Sequence, residues 1–376
     1  MSHPARQIQQ QRTRSGTASG QWPRLTPTHV VVPRMTSDPQ SLLLDGEHAE
    51  RRGDFVSATN AYAAVAGSDD PRTGAEARFR LGRVAWRQGR LDDALVLYDR
   101  ARAMADESGA VEIRAAAEIG IGTVHCERGA YAQARASYQV AHALTANPSL
   151  RGKIHLNLGV IAALEGDVVQ ARSLYEKSAQ SFQLARDDDG LALALHNLGM
   201  LAASREEWEG AETAYRCCVE VCERLGNRGM LATVLLKRVE LLCARDRLTD
   251  AESDAERALA LFADLGDEVG RVEALRWQGH AFRRLGKHDA AEMRLRDATR
   301  IAARLQLAMA EARAAEELGI LLLERGRQSD AIGAFERASS RYAAMDASGD
   351  VARVMALLDE RGEHEPRGGS KRRASG

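Results

Sequence analysis

Proline is missing from most of this chain: none lies between Pro148 and Pro366, and aromatic residues make up only 5% of the sequence. A strand-rich domain would need β-branched residues and turn prolines, so a composition dominated by alanine, leucine, arginine and glutamate excludes one. No apolar run is long enough to span a membrane. A net charge of −1 provides no global field for nucleic acid or an acidic substrate. The cysteines are odd in number and scattered, at Cys126, Cys217, Cys218, Cys222 and Cys243. They fit a reducing cytoplasm better than a disulfide framework.

Catalytic and cofactor signatures are missing too. Gly120-Ile121-Gly122 begins like a dinucleotide loop, but no strand precedes it and the third glycine is absent. No phosphate-binding P-loop sequence occurs. His288-Asp289 resembles the dyad of metal-dependent phosphohydrolases, yet it has no companion histidines and reads as a solvated turn. Cys218 and Cys222 are one helical turn apart, but a zinc site needs two more ligands, so they read as buried free thiols. The expectation is no catalytic residue, no metal and no cofactor.

What is present is a self-similarity with a period of about 40 residues, from roughly residue 40 to the C-terminal tail. Each unit has a glycine, a second glycine seven residues on, an alanine twelve on, an aromatic sixteen on and a small residue nineteen on. One copy reads Gly82, Gly89, Ala94, Tyr98, Ala101; the next Gly122, Gly129, Ala134, Tyr138, Ala141; the last full copy Gly319, Gly326, Ala331, Phe335, Ala338. The anchors are Gly46, Gly82, Gly122, Gly159, Gly199, Val239 in a degenerate copy, Gly279 and Gly319, which gives eight units. The steps before Gly82 and Gly159 are shorter. Apolar residues within a unit keep helical spacing, broken once at the second glycine. Each unit is therefore two antiparallel helices, in the Gly122 unit near Val111–Glu127 and Tyr131–Leu144.

Close helix crossing requires small residues, so the anchor glycine is expected to face the alanine twelve residues later. The turn glycine permits a left-handed backbone. The aromatic is expected to fill the space between successive hairpins, whose stacking builds the core.

These residues resemble the tetratricopeptide repeat family, in its longer variety of about 40 residues found in kinesin light chains and bacterial signalling and regulatory proteins. The likeness covers nearly the whole chain apart from its tails. It implies an all-α, right-handed superhelical solenoid of about eight hairpins, with Asp350–Arg361 as a C-terminal capping helix. Three departures stand out. The family's proline after the second helix is mostly missing, with only Pro71 and Pro148 near such sites. The Val239 unit has Asp246 at the turn and Ala255 in the aromatic place. Glu206 replaces the turn glycine of the Gly199 unit. Those two hairpins are expected to pack less tightly.

The expected organisation is a disordered basic tail over residues 1–37, repeats with their cap over 38–361, and a disordered basic tail over 362–376. Residues 1–34 hold Arg6, Arg12, Arg14, Arg24 and Arg34, no acidic residue and half of the prolines. Either this is a real unstructured tail or translation starts at Met35. Arg372-Arg373-Ala374-Ser375 looks like a basophilic kinase site.

In the family the first helices line a concave groove. Its residues here would be Arg80, Arg83, Trp86 and Arg87; Asn157, Val160, Leu164, His196, Asn197 and Met200; and Arg276, Trp277, His280, Arg283 and Arg284. The resemblance implies that Asn157 and Asn197, each two residues before its glycine, bond the backbone of a bound peptide. A carboxamide offers the donor and the acceptor this needs. The arginine and tryptophan clusters would attract acidic or phosphorylated segments, or be a solvated face. Lys153 and Asn157 supply only fragments of the family's carboxylate clamp. The resulting expectation is a bacterial, cytoplasmic, non-enzymatic scaffold that binds a protein or peptide segment, with no nucleic acid or membrane partner. Two alternatives stay open: a sensory module for a signalling peptide or small molecule, and a structural scaffold that oligomerises.

Overall fold

The computed structural model describes residues 38–362, and the expectations for the two tails lie outside them. Seventeen helices and no strand occur among the described residues. The chain clusters into two compact units, one ending at Ser204 and the other beginning at Arg205. The first contains α1 (Pro39–Arg51), α2 (Phe55–Ala66), α3 (Pro71–Arg87), α4 (Leu91–Glu107), α5 (Val111–Glu127), α6 (Tyr131–Leu144), α7 (Pro148–Glu165), α8 (Val168–Ala185) and α9 (Asp188–Ser204). The second contains α10 (Trp208–Leu225), α11 (Arg228–Ala244), α12 (Leu248–Leu265), α13 (Glu268–Arg284), α14 (His288–Arg304), α15 (Ala308–Glu324), α16 (Gln328–Ala343) and α17 (Ser348–Gly362).

The turns follow from local chemistry. After α5 the chain reverses at Gly129 (φ 75°), and the Ala130 N–H returns to the His125 carbonyl at 2.9 Å. This six-to-one bond satisfies a carbonyl that the helix end leaves open. Glu206 and Asp246 take the same left-handed conformation at φ 59° and 61° without being glycine, at a steric cost that a Cβ imposes there. Pro71 and Pro148 open α3 and α7 at the first helical position, behind the capping side chains of Asp70 and Asn147. The two short repeat steps are explained by α2 and α6, which have 12 and 14 residues against 17 in α4.

Most anchor glycines meet a ring first; Gly279 instead meets Leu295 and the carbonyl of Ala291, the alanine twelve residues on. A Cβ built on Gly122 would lie 2.5 Å from Cε1 of Tyr138, and one on Gly82 would lie 2.7 Å from Tyr98. Gly46 meets Tyr62, Gly159 meets Tyr175 and Gly319 meets Phe335 in the same way. The expected glycine–alanine pairing is thus modified: Ala94, Ala134 and Ala331 are fully buried, but the atoms nearest to a Cβ on Gly82, Gly122 and Gly319 belong to a ring. The ring also reaches the next hairpin, as expected, since a Cβ on Gly120 of α5 would stand 2.6 Å from Cζ of Tyr98. A second ring-on-glycine contact went unread in the sequence. Phe182 of α8 fits between Gly152 of α7 and Gly190 of α9, and Phe262 of α12 covers Gly270 of α13.

The degenerate repeat keeps the volume and moves it. Val239 fills the place of the glycine and Ala255 that of the ring, and both are completely buried in one cluster with Leu242, Ala251 and Ala281. The looser packing expected of this hairpin is replaced by an exchange of side-chain size across the contact. The two helices of the Gly199 repeat fall in different units. At the C-terminal end, Val354 of α17 buries itself against the cluster of Phe335 and Tyr342. Arg353 and the Tyr342 hydroxyl both bond Glu316 of α15.

Ion pairs link successive turns of the second unit. Glu292 of α14 receives Arg325 and Arg327 from the next turn, Glu212 receives Arg245 and Arg247, and Glu252 receives Lys287. Glu292 is buried, whereas the partly exposed pairs of Glu212 and Glu252 contribute about 0–1 kcal/mol each.

The ring-on-glycine contact predicts a coupled mutation pair. Gly122→Val should destabilise the chain by about 1–3 kcal/mol through overpacking. Adding Tyr138→Ala, which copies the Val239 and Ala255 arrangement, should cost less than the two single changes together. Thermal melts of all four proteins give the coupling energy; strict additivity would remove the contact from the account.

Candidate binding surface

Within each unit successive first helices touch one another: α1, α3, α5, α7 and α9 in the first, α11, α13 and α15 in the second. Successive second helices have no comparable contact among the described residues. The first helices therefore line the inner side of each unit. The anchor glycine is buried, while Arg80, Arg83, Asn157, Val160, Asn197 and Met200, two before or one after an anchor, are half-buried.

In the first unit the arginine cluster of α3 is neutralised from within the chain. Arg83 grips the buried Glu50 of α1 with two bonds, at 2.9 and 2.7 Å, and Arg87 joins the same carboxylate at 3.3 Å. Arg80 pairs with Glu76 at 2.7 Å and with Glu47 at 3.2 Å. The Trp86 indole donates to Glu127 of α5 at 2.8 Å. These groups tie the first three hairpins together; the attraction for an acidic segment expected of Arg80 and Arg83 is met by the chain's own carboxylates.

The asparagine region differs. Asn157 on α7 donates to Thr123 Oγ1 on α5 at 3.3 Å, and the Tyr138 hydroxyl donates to the same oxygen at 3.4 Å. Its amide also faces the Tyr138 hydroxyl, which leaves the carboxamide oxygen for other use. Asn197 on α9 is half-buried, and its side chain makes no hydrogen bond among the described residues. Val160 and Leu164 of α7 are half-buried, as are His196 and Met200 of α9, and Leu193 is 40% exposed. The structure thus places Asn157, Val160, Asn197 and Met200 on adjacent first helices.

Lys153, one turn before Asn157, is exposed and has no carboxylate within ion-pair distance among the described residues. The first unit's wall lowers its ammonium pKa below the ordinary lysine range, chiefly by stripping water from the charge; attraction from Asp187 opposes this and repulsion from Arg83 adds to it.

The second unit's inner side is a closed polar network. Arg276 is buried, holds Glu273 at 2.9 Å and stacks on the Trp277 ring at 4.4 Å. His280 lies 3.1 Å from Glu317 of α15, and Arg283 bonds Glu324 at 2.6 Å. Burial alone would raise the Glu317 pKa, but His280, Arg283 and Arg276 together hold it below the usual carboxylate range. Arg276, His280 and Arg283 are thereby committed to their own chain, as Arg284 is to Asp246.

A sequence profile described as tetratricopeptide repeat matches residues 73–147, 150–224 and 230–304, more than half of the chain. The chain belongs to the tetratricopeptide repeat family. Among solved structures it is similar to the apo form of RapI, with 10% identity, coverage of 86% of this chain and 92% of that one, and a TM-score of 0.65. It is also similar to a signal transduction ATPase with numerous domains that carries a tetratricopeptide repeat sensor, from Pyrococcus horikoshii (12% identity, 87% and 54% covered, TM-score 0.61). A third is a Rap protein complexed with competence and sporulation factor (12% identity, 86% and 97% covered, TM-score 0.53). At these identities the likeness concerns the fold. No curated protein matches the sequence.

The remaining sequence readings fall on ordinary repeat positions. Cys218, Cys222 and Cys243 are buried, with burial pushing the Cys243 thiol up to about 12. Asp289 is exposed at the start of α14 and pairs with Arg325. No helix among the described residues is long and apolar enough to cross a membrane. Sequence reasoning missed Thr123, Glu50, Glu317 and Leu193 on the inner face of the tetratricopeptide repeats, and weighed Lys153 only as a fragment of a clamp. Their common signal is register: each lies six or two residues before an anchor, or one or four after it.

The depressed Lys153 pKa is directly measurable. In reductively 13C-methylated protein, the Lys153 signal should titrate at lower pH than the other lysines, because a poorly hydrated ammonium releases its proton more readily. A midpoint no lower than theirs would show that the inner wall does not desolvate this amine.

Proposed function

We propose that the chain is a non-enzymatic interaction module that binds an extended segment of a partner protein on the inner face of its first unit, in a signalling or regulatory role. The observation that carries this reading is the open carboxamide of Asn197, beside the half-open one of Asn157, on neighbouring helices with Val160, Leu193 and Met200 alongside. Two carboxamides on adjacent first helices match the alternating donors and acceptors of an extended backbone. The apolar side chains between them would take alternate side chains of the segment. Other inner-face groups lack this character, since Arg80, Arg83, Arg276 and Arg283 are occupied by carboxylates of their own chain. The neighbours lend support by analogy: one was solved with competence and sporulation factor and another carries its repeats as a sensor.

Partners retained from a native lysate by the wild type can be mapped to a segment and titrated. Asn157→Ala with Asn197→Ala should weaken that segment's binding roughly five- to a hundredfold, at about 0.5–1.5 kcal/mol per lost bond. Far-UV circular dichroism should be unchanged, because neither carboxamide belongs to the stacked core. Equal affinities for two folded proteins would move the site off this face.

A further inference from the structure

The joint between α6 and α7 is built unlike those after α4 and α8. The latter close with a left-handed residue, Gly109 or Arg186, and a six-to-one bond from the N–H of Ala110 or Asp187 back to the preceding helix. After α6 the chain instead runs extended at Thr145 (φ −118°, ψ 140°). Within the first unit, α6 and α7 share less contact than any other consecutive helices. Ala141 and Ile154 belong to one core cluster across this joint, and each is followed by a histidine, His142 and His155. The two ring centroids lie 5.8 Å apart. Other joints fill this register differently. Four residues before an anchor and twenty after the previous one, Glu118 of α5 stands 3.5 Å from Arg102 of α4, and Leu275 of α13 shares a cluster with Leu259 of α12. Opposite charges or apolar side chains hold those joints; two imidazoles meet at this one.

We propose that the α6–α7 joint is an acid-sensitive hinge, in which proton uptake at the His142–His155 pair parts α7 and the hairpin it begins from α6. The inference stands apart from the segment reading. His155 is half-buried, and its Nδ1 is enclosed without a hydrogen-bond partner. A charged imidazole donates from both nitrogens, and burying one without an acceptor is costly. The charges around it have the wrong sign. His142 from α6, Lys177 from α8 and Arg151, one turn earlier on α7, each repel the protonated ring. The Lys177 carbonyl, which also accepts from the Ser181 hydroxyl at 2.7 Å, offsets this in part. Glu176, beside Lys177 on α8, is exposed. Acids from the other helices packed on α7 are engaged elsewhere. Glu112 of α5 accepts from the Thr145 hydroxyl at 2.8 Å, and Asp187, ahead of α9, accepts from the Ser149 hydroxyl at 2.6 Å and the Gly190 N–H at 3.0 Å. Burial and then these cations hold the His155 imidazole below the ordinary histidine range. Once the joint opens, the ring regains its ordinary value of about 6.5. Below that pH the open state binds more protons than the closed one, so the joint is firm at neutral pH and weakens as pH falls.

Amide hydrogen exchange of the full chain at about pH 7.5 and about pH 5.5, corrected for intrinsic rates, reads the joint directly. Opening at the end of α6 and the start of α7 should rise roughly three- to tenfold at the lower pH, because a ring protonated only when open contributes up to about tenfold per pH unit. The double variant His142→Leu, His155→Leu copies the pair of Leu259 and Leu275 and should lose this rise. His142→Gln, a change at the exposed ring, should reduce it, which keeps the test decisive if the leucine pair disturbs folding. In histidine-labelled wild type, the His155 ring signals should titrate below about pH 6.5. An equal rise in the variants, no rise in the wild type, a rise spread evenly over every helix, or a His155 midpoint at or above the ordinary histidine value would overturn the inference.

Discussion

An aromatic ring packed against a residue without a side chain holds five of the hairpins together, those of Gly46, Gly82, Gly122, Gly159 and Gly319. The glycine lets the ring of the second helix approach the first helix's backbone, and the ring's far side covers the start of the next hairpin, as Tyr98 does for Gly82 and Gly120. One contact thus sets both the packing within a repeat and the step to the next. The Val239 and Ala255 pair shows that the constraint is on summed volume, since valine and alanine fill the space of glycine and a ring.

This packing frees the inner face. Asn157 and Asn197, two before their anchors, lie outside the core clusters, whereas Val160, one after Gly159, also packs on the cluster of Ala162 and Tyr175. On the first helices α1 and α3, and again on α13 and α15, the inner face carries arginine–glutamate pairs that secure one helix to the next. On α7 and α9 the residues two before and one after the anchor are asparagine, valine and methionine. The chemistry of the face changes from paired charge to carboxamides and apolar groups beside one unpaired lysine, without any change in backbone.

The fold was legible because the repeat skeleton is written in residue types with one structural use each. Gly129 marks a left-handed turn, and the helices Val111–Glu127 and Tyr131–Leu144 end where the spacing places them. The partner of each glycine was not legible, since periodicity says which residues recur and not which of them touch. Alanine and tyrosine four residues apart share a helix face, and only the three-dimensional crossing shows that the ring takes the contact. The inner-face residues were legible by register, but their state was not. Arg83 and Asn197 look equally available in sequence; Glu50, thirty-three residues before Arg83, decides otherwise. Pairing across hairpins depends on side-chain reach between helices, which a one-dimensional pattern does not contain.

The central claim is that the stacked rings carry the fold while the inner face of α7 and α9 carries recognition. Amide hydrogen exchange of the full chain, with and without a bound partner segment, tests it most directly. The account predicts new protection concentrated in the first helices α7 and α9, with α8, already protected by ring packing, unchanged. Protection confined to the second helices, or spread evenly over every repeat, would contradict it.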